Sequence, residues 1–189
     1  MGARMRRLGW GLLGAALLCG VFASCVRDSM AYRRALREWT KHHTVYSLND
    51  LRAELIVSAT LLTPAFRDAR LVFESALRDG EPGELPRAWD LSGTSVLIGL
   101  YAPKGMERLG QSFDDGYWQL SLTTPDGMVV HPIAVTEVPI SPLEQKLFPH
   151  FTRWTRAYLV RFAPELGPGK VALTIAGLNA RSTLLWNLR

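Results

Sequence analysis

Apolar side chains recur with a different period in each of three parts of the chain. Residues 8–26 form a run that contains no acidic or basic side chain. Residues 28–40 have apolar side chains three and four positions apart and arginines between them, which predicts an amphipathic helix. Its apolar side consists of Tyr32, Ala35, Leu36 and Trp39. After residue 43, apolar and polar residues alternate in short segments, as is typical of half-buried β-strands.

The alternating segments are separated by turns and predict the fold class. The predicted strands lie within 51–61, 95–102, 117–123, 128–138, 152–162, 171–175 and 184–188. Residues 124–127, with the sequence Thr-Pro-Asp-Gly, predict a hairpin turn, and Pro132 in the returning strand indicates a sheet edge or a bulge. Six to seven such strands predict a mostly β fold, an immunoglobulin-like β-sandwich with an N-terminal helix and one inserted helix.

Helix start signals interrupt the strands at two places. Thr63 followed by Pro64 combines an N-cap residue with proline at the first helical position, which predicts a helix over 64–78. A capping box that begins at Ser141 predicts a short helix over 142–148.

Two further local predictions concern the ends of strands. Residues 41–44 (Lys-His-His-Thr) are predicted to form a polar link between the N-terminal helix and the first strand. In segment 152–162, four apolar residues are predicted to share one face, and Arg156 in the same phase indicates that this face is either broken or bulged there. These four residues are Trp154, Tyr158, Val160 and Phe162.

The N-terminal segment, residues 1–25, has the three parts of a secretory signal. Three arginines within residues 4–7 give it a basic start, an apolar region follows, and the small residues Ala23 and Ser24 precede Cys25. This segment resembles the signal peptide of a bacterial lipoprotein. The resemblance implies cleavage between Ser24 and Cys25, and attachment of lipid to Cys25. Val26, in place of aspartate after the cysteine, resembles lipoproteins that are sorted to the outer membrane.

The resemblance also implies a division of the chain and a location in the cell. Residues 1–24 would be the signal peptide, 25–42 a lipid-anchored linker and helix, and 43–189 the β-sandwich domain. Two alternatives remain open. The run 8–26 is close to the ~20 residues of a membrane-spanning helix, although its four glycines weaken a helix. Ordinary secretion with cleavage elsewhere would leave Cys25 unexplained.

Charge and cysteine content exclude several classes of function. The net charge of +5 falls when the signal is removed, because 22 basic residues become 19 against 17 acidic ones. This small excess does not indicate a nucleic-acid partner. The chain has two cysteines, Cys19 in the signal and Cys25 at its end. A body without cysteine would contain no disulfide, no zinc–cysteine site and no thiol nucleophile.

The histidines and one acidic pair are the candidates for site chemistry. His42 and His43 are adjacent in an extended segment, so their rings point to opposite faces and do not easily bind one metal ion. A metal site would need His131 or His150 together with Asp114 or Asp115. The acidic pair lacks the spacing of a calcium loop, and no nucleophile elbow is present. We therefore predict no catalytic residue, no metal and no cofactor.

An anchored domain without a recognisable catalytic site indicates an interaction role. We predict a lipoprotein of the bacterial envelope, at the outer membrane or facing the periplasm, with a structural, assembly or protein-interaction function. Its partners would be the membrane, through lipid on Cys25, and an envelope protein. A small-ligand-binding lipoprotein with a pocket between helix 64–78 and the sheet is the alternative. The third hypothesis is an uncharacterised hydrolase, with His131 or His150 near the acidic pair.

Overall fold

The computed structural model of the chain describes residues 29–46, 53–78, 93–101, 113, 118–177 and 181–189. The helices in this part are α1 over 29–39, α2 over Pro64–Leu77 and α3 over Pro142–Leu147. The strands are β1 (Thr40–Tyr46), β2 (Ala53–Leu61), β3 (Thr94–Tyr101), β4 (Gln119–Thr123), β5 (Val129–Val130), β6 (Ala134–Val138), β7 (Arg156–Phe162), β8 (Gly169–Ala176) and β9 (Arg181–Leu188). Ser24, Cys25, Asp114 and Asp115 lie outside the described residues.

The nine strands of the described residues form two antiparallel sheets. One sheet has the order β1-β2-β3-β7-β6 and the other the order β5-β4-β8-β9. Without β1, these are the strand orders A-B-E-D and C′-C-F-G of an immunoglobulin-like sandwich. The predicted fold is therefore confirmed. The strand count exceeds the six to seven predicted, because β1 adds an edge strand and segment 128–138 divides into β5 and β6.

The space between the two sheets is filled by apolar side chains. They come from alternate positions of six strands and from Trp118, so each strand buries every second residue, as the alternation predicts. The fully buried members are Val57, Ala59, Val96, Ile98, Leu122, Val160, Phe162, Val171, Leu173 and Ile175. This inter-sheet core needs no disulfide, since its burial supplies the main driving force for folding.

The three helices cover the outer face of the five-stranded sheet and form a second core. Its buried members are Tyr32, Leu62, Phe66, Leu97, Leu147, Phe148, Phe151, Ala157 and Leu159. A side chain at Gly99 of β3 would lie 2.5 Å from the Phe151 ring, so glycine lets this ring rest on the sheet. Strand β3 is buried on both faces as a result, which explains its almost continuous apolar sequence. We call these helices and their packed residues the helical layer.

Both predicted helix starts are confirmed. Thr63 accepts a hydrogen bond from the backbone N–H of Phe66 at the start of α2, and Pro64 occupies the first turn. Ser141 and Glu144 form a complete capping box at the start of α3. These local rules worked because a cap depends only on residues within one turn of the helix.

Residues 41–44 are not a link, and this prediction was wrong. They belong to β1, which pairs with β2 and begins directly after α1. The Oγ1 atoms of Thr40 and Thr60 lie 2.9 Å apart across this pair. Strand β1 is an edge strand with several exposed side chains, so its polar sequence does not prevent pairing.

The segment around Pro132 and the start of β7 also differ in detail from the prediction. The chain leaves the four-stranded sheet after β5 and enters the other sheet with β6, so Pro132 lies between two edge strands. Trp154, which was predicted to share a strand face with Tyr158, Val160 and Phe162, is 61% exposed and lies in a turn before β7. The turn is closed by hydrogen bonds between Thr152 and Thr155, which remove Trp154 from the strand alternation.

Candidate functional site

Helix α1 is held on the domain by contacts at both of its ends. The Tyr32 ring stacks on Phe73 of α2, with centroids 4.7 Å apart, and its hydroxyl donates to the carbonyl of Leu147 at 2.6 Å. Trp186 of β9 donates its indole N–H to the carbonyl of Trp39 at 2.8 Å. Burial raises the pKa of Tyr32 above its ordinary value, so its hydroxyl stays a donor. The helix is thus a fixed part of the fold.

The other side of α1 presents a basic surface next to an exposed apolar side chain. Arg33, Arg34 and Arg37 are exposed, as the sequence predicts, while Ala35 and Leu36 are half-buried. Met30, one turn before Arg34, is 67% exposed. Basic side chains that face solvent attract anionic lipid head groups when they lie near a membrane surface.

A groove of about 500 Å³ runs between α1 and the rest of the helical layer. Apolar side chains and three basic groups share its lining. The apolar residues are Met30, Leu36, Phe73 and Pro149, and the basic ones are Arg33, Arg37 and Lys146. The sequence predicts that the arginines of α1 are exposed, but it does not predict that Lys146 lies beside them, because α3 is far from α1 in the chain.

The position of Cys25 in the sequence limits how far this surface can lie from an attached lipid. Cys25 precedes the first described residue of α1 by four positions. Four residues span at most about 14 Å when fully extended. A lipid on Cys25 would therefore hold the basic surface of α1 close to the bilayer surface.

An ion pair is buried at the centre of the helical layer. Arg70 and Glu74 of α2 are 1% and 0% exposed, and their Nη2 and Oε2 atoms lie 3.4 Å apart. Arg78 approaches the other carboxylate oxygen at 3.0 Å. Desolvation lowers the pKa of Arg70, and the charge of Glu74 opposes this effect. The sequence does not reveal this pair, because an arginine and a glutamate four positions apart on a helix are usually an exposed pair.

Two histidines that are distant in the sequence meet at the edge of the helical layer. The rings of His42 in β1 and His150 after α3 are perpendicular, with centroids 5.0 Å apart. Burial, and to a lesser extent the charge of His42, lower the pKa of His150 to about 4. Its Nε2 atom is buried without a hydrogen-bond partner in the described structure. A zinc site uses at least three protein ligands, and the described residues contain no cluster of three candidate ligands.

The other candidate histidines have separate local roles. His43 points away from His42, and its Nδ1 lies 2.7 Å from the Oγ of Ser182 in β9. This contact joins β1 to the edge of the second sheet. The Nδ1 of His131 lies 3.2 Å from the carbonyl oxygen of Leu120. Asp114 and Asp115 are outside the described residues, so the structure does not address the hydrolase reading.

The edge strands β5 and β6 lie in different sheets, and the chain at and between them carries exposed apolar side chains. Met128, Val129 and Ile133 are 55%, 61% and 60% exposed. Strand β6 is the edge of the five-stranded sheet opposite β1, the strand into which α1 leads. Met128, Val129 and Ile133 do not line the groove beside α1, so this apolar edge and the basic surface are separate features.

Comparisons with known proteins give no relative. No protein family, no curated protein and no solved structure matches the chain. None of the helices in the described residues combines the length and apolar character that a transmembrane span requires. Any functional argument for this chain therefore depends on its own residues.

Proposed function

We propose that the protein is a lipoprotein of the bacterial envelope, anchored through lipid on Cys25, with a structural or protein-interaction role. The observation that carries this proposal is the position of α1. A helix with three exposed arginines and an exposed methionine begins within four residues of the lipidation candidate and is fixed to the folded domain. The arginines would face anionic head groups when the lipid is inserted.

The charge on α1 would strengthen and orient the attachment. A basic residue near an anionic leaflet contributes about 1 kcal/mol to membrane binding. Arg33, Arg34 and Arg37 together would then contribute about 3 kcal/mol, or roughly a hundredfold in affinity. The lipid supplies the remaining attachment, while the helix determines which side of the sandwich faces the bilayer.

The edge at β5 and β6 supports the interaction role. Edge strands have unpaired backbone N–H and C=O groups, to which an extended segment of another protein can add as a further strand. Val129 and Ile133 would supply apolar contacts beside such a strand. These side chains do not line the groove that contains Arg33 and Arg37, so contact between that groove and the bilayer would not by itself cover them.

The anchor is tested by Cys25→Ser in the native host. We expect the protein to move from the membrane fraction to a soluble or unprocessed form, because the only lipid attachment site of the proposal is removed. A protein that remains processed and membrane-bound as before would contradict the proposal. Cys19→Ser is the matched control and should leave fractionation unchanged.

The orientation is tested with vesicles that contain phosphatidylglycerol. Replacement of Arg33, Arg34 and Arg37 by glutamine should weaken binding of the unlipidated body roughly a hundredfold at low salt. Replacement of three other exposed arginines, Arg153, Arg181 and Arg189, changes the net charge equally and should have little effect. Equal weakening by both triple variants would show that net charge, and not the α1 surface, controls binding.

The partner surface is tested by crosslinking in intact cells. A photoreactive side chain at Ile133 should give a discrete crosslinked protein, whereas the same group at Leu185 should not. Leu185 is a suitable control because it is 62% exposed and lies on a different strand, β9. The absence of any product at Ile133, or the same products at both sites, would argue against a partner at this edge.

A further inference from the structure

A second cavity lies between the start of α2 and the end of the sandwich. It has a volume of about 220 Å³, which is below the roughly 300–1,000 Å³ of sites for drug-sized ligands. Its walls come from Leu61, Leu62, Leu166 and Leu188, and polar groups come from Arg67, Ser95 and Glu165. Its size and lining suit a ligand that is mainly aliphatic, has few polar atoms and is no larger than an amino acid.

Two buried polar atoms at this cavity have no hydrogen-bond partner among the described residues. One is Oγ of Ser95, whose residue is 3% exposed, and the other is Nε of Arg67. The backbone of Ser95 is satisfied, because its carbonyl accepts the N–H of Leu62 at 2.9 Å. Leaving a buried polar atom unpaired costs free energy, so these two atoms are available to pair with a polar group that enters the cavity.

The N-terminal end of α2 borders the cavity but offers few free backbone N–H groups to a ligand. Pro64 has no N–H. The amide of Phe66 donates to the side chain of Thr63, and the amide of Arg67 donates to the carbonyl of Thr63. Recognition therefore depends on the Ser95 hydroxyl and the Arg67 guanidinium. Both groups donate hydrogen bonds, and the guanidinium is positively charged, which is the combination that binds a carboxylate.

Glu165 further restricts the ligand. Its side chain is exposed and borders the same cavity. A carboxylate at this position repels a doubly charged anion such as phosphate and attracts an ammonium group. We infer that the cavity binds a small aliphatic monocarboxylate, with an α-amino acid such as leucine favoured over the corresponding acid without an amine.

The binding test uses the folded chain with leucine and 4-methylpentanoate as probes, monitored by ligand-observed NMR. We expect leucine to bind with a Kd on the order of 1 mM, as suits a ligand of its size, and 4-methylpentanoate to bind more weakly. Ser95→Ala should weaken leucine binding roughly tenfold. No saturable binding of either probe, or equal binding to the wild type and Ser95→Ala, would overturn the inference.

Two matched variants separate ligand recognition from folding. Ser58→Ala removes a buried hydroxyl from the same face of the neighbouring strand, but this hydroxyl already donates to the carbonyl of Gly99. It should leave leucine binding unchanged. Ser95→Ala should also leave the Tm of the unliganded protein unchanged or raise it, because the removed hydroxyl has no partner there. A clear fall in Tm together with unchanged binding would show a structural role for Ser95 and overturn the inference.

Glu165→Gln tests the preference for an amine. This change should remove the preference for leucine, because leucine loses an attraction to its ammonium group while 4-methylpentanoate loses a repulsion of its carboxylate. An equal loss for both probes would contradict the assigned role of Glu165. The results of these tests do not depend on the lipid at Cys25, so they are separate from the tests of the anchor.

Discussion

The two interiors of this protein differ in the kind of residue that they bury. The inter-sheet core consists of apolar side chains at alternate strand positions. The helical layer also buries apolar side chains, but it adds the charged pair Arg70 and Glu74, the phenol of Tyr32 and the Nε2 atom of His150. Burial of apolar area stabilises both regions, but in the second a change that removes one member of a buried polar pair leaves the other member without compensation. The helical layer is therefore the region in which single polar changes should have large effects.

The largest effect is expected at the buried ion pair. Glu74→Ala should lower the free energy of unfolding by about 3–5 kcal/mol, because it leaves the guanidinium of Arg70 buried with less compensating charge. Urea unfolding measures this change. The matched control is Glu137→Ala, which removes an exposed pair with Arg156 at 2.8 Å and should cost less than about 1 kcal/mol. Equal losses in the two variants would contradict the comparison between the layers.

A double variant sharpens this comparison. Replacement of Arg70 by methionine together with Glu74 by leucine makes the centre of the helical layer apolar, like the inter-sheet core. We expect stability equal to the wild type or higher by about 1–4 kcal/mol, since the cost of burying two charges disappears. A double variant as unstable as Glu74→Ala would show that the pair has a packing role that apolar residues cannot replace.

The next effect is a dependence of stability on pH. His150 binds a proton near pH 6.5 in the unfolded chain but only near pH 4 in the folded protein. The unfolded state therefore binds more protons between these values, and stability falls as the pH is lowered from 6.5 to 4, by on the order of 3 kcal/mol. His150→Phe should flatten this part of the curve, because phenylalanine matches the neighbouring rings and does not titrate. An unchanged curve would contradict the role of His150.

The smallest effect concerns the attachment of α1. Tyr32→Phe removes the hydrogen bond to Leu147 but keeps the stacked ring, so it should cost about 1 kcal/mol. Tyr46→Phe is the control, because Tyr46 is 58% exposed, and it should cost less than about 0.5 kcal/mol. The difference between the two midpoints in urea gives the contribution of this contact. A difference of zero would show that α1 is held by apolar packing and Trp186 alone.

Alternation and caps predicted most of the sandwich, because they reflect burial and hydrogen bonding within a few residues. Strand β3 and the start of α2 are examples of this success. The polar edge strand β1 was missed, since pairing along an edge leaves little trace in the hydrophobic pattern. Trp154 was misplaced because the threonine turn before β7 ends the strand earlier than the alternation suggests.

The candidate sites were less predictable than the fold. His42 and His150, like Arg67 and Ser95, are brought together only by the packing of distant segments. Arg70 and Glu74 have the i, i+4 spacing of a surface ion pair, and their burial follows from tertiary packing that this spacing does not reveal. The arginines of α1 were identified from the sequence because a helical period directly separates the exposed side from the buried one.

The most direct test of the account is the mass of the N-terminal peptide from protein extracted out of native membranes with detergent. The account predicts a peptide that begins at Cys25 and carries fatty acyl groups on this residue. A peptide that begins elsewhere, or that contains an unmodified Cys25, would contradict the proposed anchor and the orientation of α1 at the bilayer.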